Sequence, residues 1–178
     1  SSPELLVKKL SDLLNIGGVF YMEIPNAFNP KMVSHDGHYG LFGITLLNPA
    51  NASLYYEHNF RGQPYSVGEY LDLNGYLKLF RSHGLEPTLL NEIPENEKDL
   101  HQIAHSIQSL PVTCKTGIRA VPEVLREHIQ KALNEYIGRF SSSYEQFLGI
   151  SGKLRKANAQ QLYRYYGIEF WRFLLKKT

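Results

Sequence analysis

The sequence predicts an α/β region followed by a helical one, and three observations carry that expectation. Residues 3–24 and 66–93 each read as a leucine-rich amphipathic helix, a glycine stop and a short apolar strand. That order is expected where strands of a sheet alternate with covering helices. After Pro94 apolar residues recur at steps of three and four almost to the end, the period of a helix face. Between the two units, residues 26–65 show no clean period, and an irregular connection of that length is typically a lid or binding loop.

The first helix is expected over residues 3–14. Ser2 can cap it, Pro3 suits its first turn, and Glu4 sits at the positive end of the helix dipole. Gly17-Gly18 stops it, and Val19–Ile24 follows as an apolar strand ended by Pro25-Asn26. A nearly continuous apolar run suits a buried parallel strand. Within the lid, a short helical turn is expected around Leu41–Leu47. Ser66-Val67-Gly68-Glu69 matches a capping box, with Tyr70, Leu73, Leu77 and Phe80 as the face of the helix behind it. Gly84 ends that helix, and Thr88–Ile93 is read as the second strand. Leu100, Ile103, Ile107 and Leu110 mark a helix closed by Pro111, and Val112–Val121 is ambiguous between strand and turn. Pro122 opens a long helix through Leu125, Ile129, Leu133, Tyr136, Phe140, Tyr144 and Phe147. A last helix is expected from Ala157 to Lys176. The division is thus 1–93 for the α/β part, with the lid at 26–65, and 94–178 for a helical extension.

Composition narrows the function. The chain has 178 residues, 43% apolar and 20% charged, enough to bury a core without disulfides. Nineteen basic and seventeen acidic residues leave +2, which gives no overall electrostatic drive toward nucleic acid. The single cysteine, Cys114, reads as a small buried hydrophobe, and no Cys/His set builds a structural zinc site. No apolar stretch approaches a bilayer span and no leader pattern is visible, so a cytoplasmic location is expected. The chain opens on Ser1, and its first methionine is Met22, as expected of a chain that begins either after processing or in the middle of a longer protein. Charge is uneven, with seven basic against twelve acidic residues over 1–114 (−5) and twelve against five over 115–178 (+7).

Two stretches carry a resemblance. Pro3-Glu4-Leu5-Leu6 through Asn15-Ile16-Gly17-Gly18-Val19-Phe20-Tyr21-Met22-Glu23-Ile24-Pro25-Asn26 resembles the helix and fifth strand of class I S-adenosylmethionine-dependent methyltransferases. Tyr70 to Leu90, with its Ser82-His83-Gly84-Leu85 stop, resembles the helix and sixth strand of the same family. The intervening segment, with Ser34-His35-Asp36-Gly37-His38-Tyr39-Gly40, looks like a substrate lid of a sugar or natural-product subgroup. The resemblance covers residues 3 to about 93 and implies a partial Rossmann-like sheet, with S-adenosyl-L-methionine as cofactor. The family's glycine-rich donor turn and its ribose-binding acid have no counterpart in the chain. The implied identity is therefore the carboxyl-terminal half of a methyltransferase, inactive alone, whose full enzyme methylates an oxygen, ahead of a carbon or nitrogen, of a small metabolite or sugar.

Methyl transfer to a hydroxyl needs alignment and a proton acceptor, and ligands of open α/β sheets sit beyond the carboxyl ends of the strands. Asn26 and the lid emerge there. His35, Asp36 and His38 are the candidate base and orienting partner, since imidazole is suited to proton transfer near neutrality. An ordinary loop hydrogen bond is the competing reading for each histidine. As metal ligands they are three neighbours without a distant fourth. Tyr55, Tyr56, His58 and Arg61 join Asn26 as candidate substrate-binding residues, the arginine able to grip a carboxylate or phosphate; a lid packed by its own aromatics is the alternative. Asn51-Ala52-Ser53 matches a glycosylation sequon by default chance.

The stretch 153–178 holds seven basic residues and only Glu169 as acid, interleaved with aromatics. It is read as a helix docking on its predecessor or forming a homodimer contact, ahead of a membrane or nucleic-acid surface. The rival to the enzyme is a non-catalytic binding or assembly module whose helical tail engages a partner.

Overall fold

A computed structural model describes residues 2–94, 96–113 and 115–178; the expectation for Cys114 lies outside them. Helix α1, Pro3–Leu13, begins as its sequence dictates, the Ser2 side chain accepting the Leu5 N–H. Gly17 turns the chain at φ +80°, a conformation that only glycine adopts cheaply, and strand β1 runs Val19–Pro25.

The connection after β1 is more regular than its composition suggests. Helices α2, Pro30–Ser34, and α3, Pro49–Asn59, flank a 3-10 turn at Ile44–Leu46. Asn29 and Asn48 cap the two helices with their side chains, and Pro30 and Pro49 fill the first helical position. Both Asn-Pro pairs are helix-start signals.

Helix α4, Leu73–Ser82, starts later than the Ser66–Glu69 box implies. Asp72 caps it by accepting the Gly75 N–H at 2.7 Å, while the Ser66 hydroxyl is hydrogen-bonded to that of Tyr39. Strand β2 is Leu85–Leu89, three residues earlier than expected. Helix α5, Lys98–Thr113, passes through Pro111 instead of ending there. The ambiguous stretch that follows is helix α6, Lys115–Ala120, and α7 runs Glu123–Leu148.

The chain end departs most from expectation. Helix α8 stops at Leu162 (Gly152–Leu162), a π-helical turn spans Tyr163–Gly167, and Phe170–Lys177 is strand β3. Trp171, Phe173 and Leu175 are fully buried while Arg172, Leu174 and Lys176 are exposed. This is the two-residue period of a strand, and it overrides the weaker helical spacing of Tyr166, Phe170 and Phe173. The supposed helical extension is therefore an excursion between β2 and β3, and its last residues return to the sheet.

The sheet order is β1-β3-β2. β3 pairs antiparallel with both neighbours, Ile24 opposite Trp171 and Thr88 opposite Leu174. A mixed α/β chain is thus present, but its strands pair antiparallel, in place of the expected parallel Rossmann-like sheet. β1 and β2 do run parallel to each other, on either side of β3. β1 is only partly covered and lies at a rim, not in a buried interior.

Packing divides into two main cores. Under the sheet, Val7 of α1 and Leu73, Tyr76 and Phe80 of α4 pack on Ile24, Leu85, Trp171, Phe173 and Leu175. In the other core, residues of the lid (Val33, Phe42, Ile44, Tyr55) interleave with α5 and α7 (Ile107, Leu125, Ile129, Tyr136, Phe140). Lid and helical segment are consequently one body, a cap. Phe28 touches both cores.

Candidate functional site

β1 delivers the chain into Asn26, and from there the cap is tied down residue by residue. Asn26 is fully buried; its amide donates to the carbonyls of Tyr165 (2.8 Å) and Ile168 (2.7 Å), and its oxygen accepts the Phe28 N–H. Asn29 donates to the carbonyls of Tyr166 and Gly167, both at 3.1 Å. The Trp171 indole N–H donates to Arg164 O at 2.9 Å. Five successive carbonyls at the end of α8 and its π turn are thereby satisfied by side chains, which answers the accounting problem of a buried helix terminus. Gly167 is required here, because a Cβ would lie 2.6 Å from the Tyr163 ring and 2.7 Å from Ile103. Asn26 is therefore a clasp with its donors spent, and it is not free to bind a substrate.

After α2 comes the turn 36–40, whose His38 shares a groove with Glu23, Ile24 and Pro25 of β1. Asp36 is 2% exposed, and its carboxylate accepts the backbone N–H groups of His38 (2.7 Å) and Tyr39 (3.1 Å). The His38 ring projects outward, half-exposed, with Nδ1 3.8 Å from Asp36 Oδ1. That is too long for a hydrogen bond but close enough to bias the ring's orientation. His35 is exposed and lies beneath Gly40, where an added Cβ would come within 2.7 Å of the imidazole; Gly40 has φ +70°.

Beside β1 runs a groove of about 620 Å³. Its lining is largely apolar, with Leu6 and Leu10 of α1 and Phe20 and Met22 of β1, and it includes His38, Ser66 and Tyr70. His38 is the one candidate site residue on this groove. Tyr55 and Tyr56 are buried in the cap, and His58 and Arg61 stand exposed away from the groove. Tyr56 donates to Gln63 and packs against Tyr39, Phe60 and Tyr65, ring centres 4.4–5.5 Å apart. These rings fill the cap instead of lining a pocket. Ser66 and Tyr70 carried no site signal in the sequence, because both sit in what reads as a helix start.

Among the described residues no group of three or more His, Cys, Asp or Glu side chains could hold a metal ion. Nor is any helix among them long and apolar enough to cross a membrane.

A scan against protein-family models, a search of curated proteins and a search of solved structures each find no match to this chain.

The cap buries tyrosines whose ionisation has a measurable consequence. Burial, then the negative charge of Asp36, pushes the Tyr55 phenol from 10.0 up to about 12, the Phe42 backbone offsetting this only in part. Burial and Asp36 push Tyr65 from 10.0 to about 12 as well. A phenol held neutral in the fold stabilises it fully below its unfolded pKa, and that contribution is lost as pH rises through the folded one. Stability is expected to fall between pH 10 and about 12, followed as the denaturant midpoint alongside tyrosinate absorbance. A midpoint that stays constant across this window would contradict the assignment.

Proposed function

We propose that the chain is the carboxyl-terminal part of an S-adenosylmethionine-dependent methyltransferase acting on a hydroxyl of a small metabolite or sugar. The observation that carries this reading is the placement of His38. The cap follows β1 directly, and its 36–40 turn puts a half-exposed imidazole on the groove that Ile24 and Pro25, at the carboxyl end of that strand, also line; ligands of α/β sheets sit at that end. The two helix–glycine–strand units, parallel to each other across β3, add support.

The residues present do not make a donor site. Gly17 and Gly84, the positive-φ glycines beside the strands, stand at the amino ends of β1 and β2. Glu23, an acid on the groove, is engaged by Arg172 Nε at 2.9 Å and by the Tyr21 hydroxyl. This chain's own part is the acceptor side. Asp36 fixes the turn through backbone N–H groups and lies beside Nδ1 of His38, which leaves Nε2 as the nitrogen to take the acceptor's hydroxyl proton.

Titration of the 178-residue chain with S-adenosylmethionine is expected to give no saturable binding, whereas a reading frame extended upstream to include a glycine-rich turn binds it. His38→Gln in that longer protein should lower kcat by about 10²–10³-fold with little change in donor affinity. Micromolar donor binding by the short chain, or an unaffected kcat, would overturn the reading. A second reading, a non-catalytic assembly module, is favoured by one observation, the exposed apolar rim at β1.

A further inference from the structure

A second cleft, of about 310 Å³, lies in the cap between α7 and α8. It is lined by Ser143 and Gln146 of α7, by Asn158, Gln161 and Leu162 of α8, and by the two neighbouring tyrosines of the π turn. It shares no lining residue with the groove beside β1. Packed helices ordinarily fill the seam between them with interdigitated apolar side chains. Phe147, Ala159 and Leu162 do so here, together with Leu100 of α5. Ser143, Gln146, Asn158 and Gln161 of the same two helices instead border a gap at the lower end of the size range of small-molecule sites.

The lining holds no charged residue and no histidine, although residues 143–166 include Glu145, Lys153, Arg155, Lys156 and Arg164. What it offers is neutral hydrogen bonding. The Gln146 and Gln161 side-chain amides have no partner among the described residues, so each presents two N–H donors and a carbonyl acceptor. Ser143 Oγ–H donates to Arg139 O at 3.0 Å and Asn158 Nδ2–H to Leu154 O at 2.9 Å, which leaves the serine lone pairs and Asn158 Oδ1 as acceptors. Burial above all raises the Tyr165 and Tyr166 phenols, which keeps both as neutral hydroxyls on aromatic rings. The wall they form is fixed: Tyr166 lies edge-on to Phe140 at 5.0 Å, and Asn26, Asn29 and Trp171 hold the carbonyls of the turn. A π turn inside helical structure is frequent at functional sites, and a cleft already held in shape loses little freedom when a ligand enters.

We propose that this cleft binds a neutral sugar ring, whose hydroxyls pair with Gln146, Asn158 and Gln161 and whose C–H face lies against the tyrosines of the π turn. Each sugar hydroxyl donates and accepts at once, which matches amides that do both. A phosphate or carboxylate would meet no cation on this lining, and a wholly apolar ligand would leave the amides unpaired. The ring chemistry is common to a free monosaccharide and to the terminal residue of a glycan. The inference does not rest on the methyltransferase reading, since His38 has no part in this cleft.

The test is a titration of the full chain with the methyl pyranosides of glucose, galactose and mannose, followed through its side-chain amide NMR signals. Saturable binding of at least one is expected, with a dissociation constant of about 1 mM, and the Gln146, Asn158 and Gln161 amides should move. A disaccharide ending in the same ring separates the two sources within the proposal: equal affinity marks a glycan end, and a loss marks the free sugar. Gln146→Leu and Gln161→Leu should each weaken binding about tenfold. Both side chains are exposed and unpartnered, so the fold survives their loss. Gln102→Leu, on the exposed face of α5, should leave the affinity unchanged. The proposal is overturned if none of the three pyranosides saturates the signals, or if inorganic phosphate moves the same amides with equal affinity. It is also overturned if the shifts fall on His38 and Tyr70 instead, or if both glutamine variants bind as the unmodified chain does.

Discussion

Replacing Asn26 by alanine is expected to cost about 3–5 kcal/mol of unfolding free energy, summed from buried groups left without partners at roughly 1–3 kcal/mol each. The side chain is fully buried and satisfies two carbonyls, those of Tyr165 and Ile168, and the Phe28 N–H. None of the three can turn to water without moving the junction of β1, the π turn and β3. Asn26→Asp should be as damaging, because it keeps size and acceptor but aims a second acceptor at two carbonyls. Urea unfolding checks both variants: the midpoint falls while the slope stays constant. A loss below about 1 kcal/mol for either would show that the clasp contributes little.

Phe140→Ala is expected to cost about 3–5 kcal/mol, and its readout tests whether cap and sheet are one cooperative unit. Phe140 lies in the cap core, fully buried, with its ring edge-on to Tyr166 at 5.0 Å and stacked on Tyr144 at 5.5 Å. Trp171, the single tryptophan, sits in the sheet core. The cap is wired to the residues after β1 by Tyr136 Oη–H to Phe28 O (2.7 Å) and Thr45 Oγ–H to Ala27 O (3.1 Å), besides the asparagine clasp. The substitution should therefore shift the tryptophan fluorescence transition and the helical circular dichroism transition by the same amount. A fluorescence midpoint that stays put while the dichroism midpoint drops would mean that the cap melts alone.

The parts of this fold that the sequence makes legible are those governed by local chemistry. Ser2-Pro3, the leucines of α1, Gly17 and Gly84 act within a few residues of themselves, and the elements they bound occur close to where expected. The two Asn-Pro pairs of the lid are equally local signals, outweighed by the surrounding Gly, Tyr and His. What is not legible depends on partners distant in sequence. Phe170–Lys177 has both an aromatic spacing compatible with a helix and an alternation compatible with a strand. The choice falls to β1 and β2, which lie about 150 and 90 residues upstream in register and whose facing backbone groups need a strand between them. The parallel expectation for β1 fails for the same reason: the apolar run specifies a strand but not the direction of its neighbour. At the site, the loop histidines and acid stand out as chemistry, yet only folding separates His38 at the groove from His35 under Gly40 and from Asp36, spent on holding the turn. Tyr55 and Arg61 look alike as polar candidates in sequence and end up inside the cap and in solvent.

Pro87 sets a limit on how far such a sheet can grow. The β2 rim lacks an N–H at its centre, so any strand added to this sheet can join only beside β1, and growth is confined to one direction.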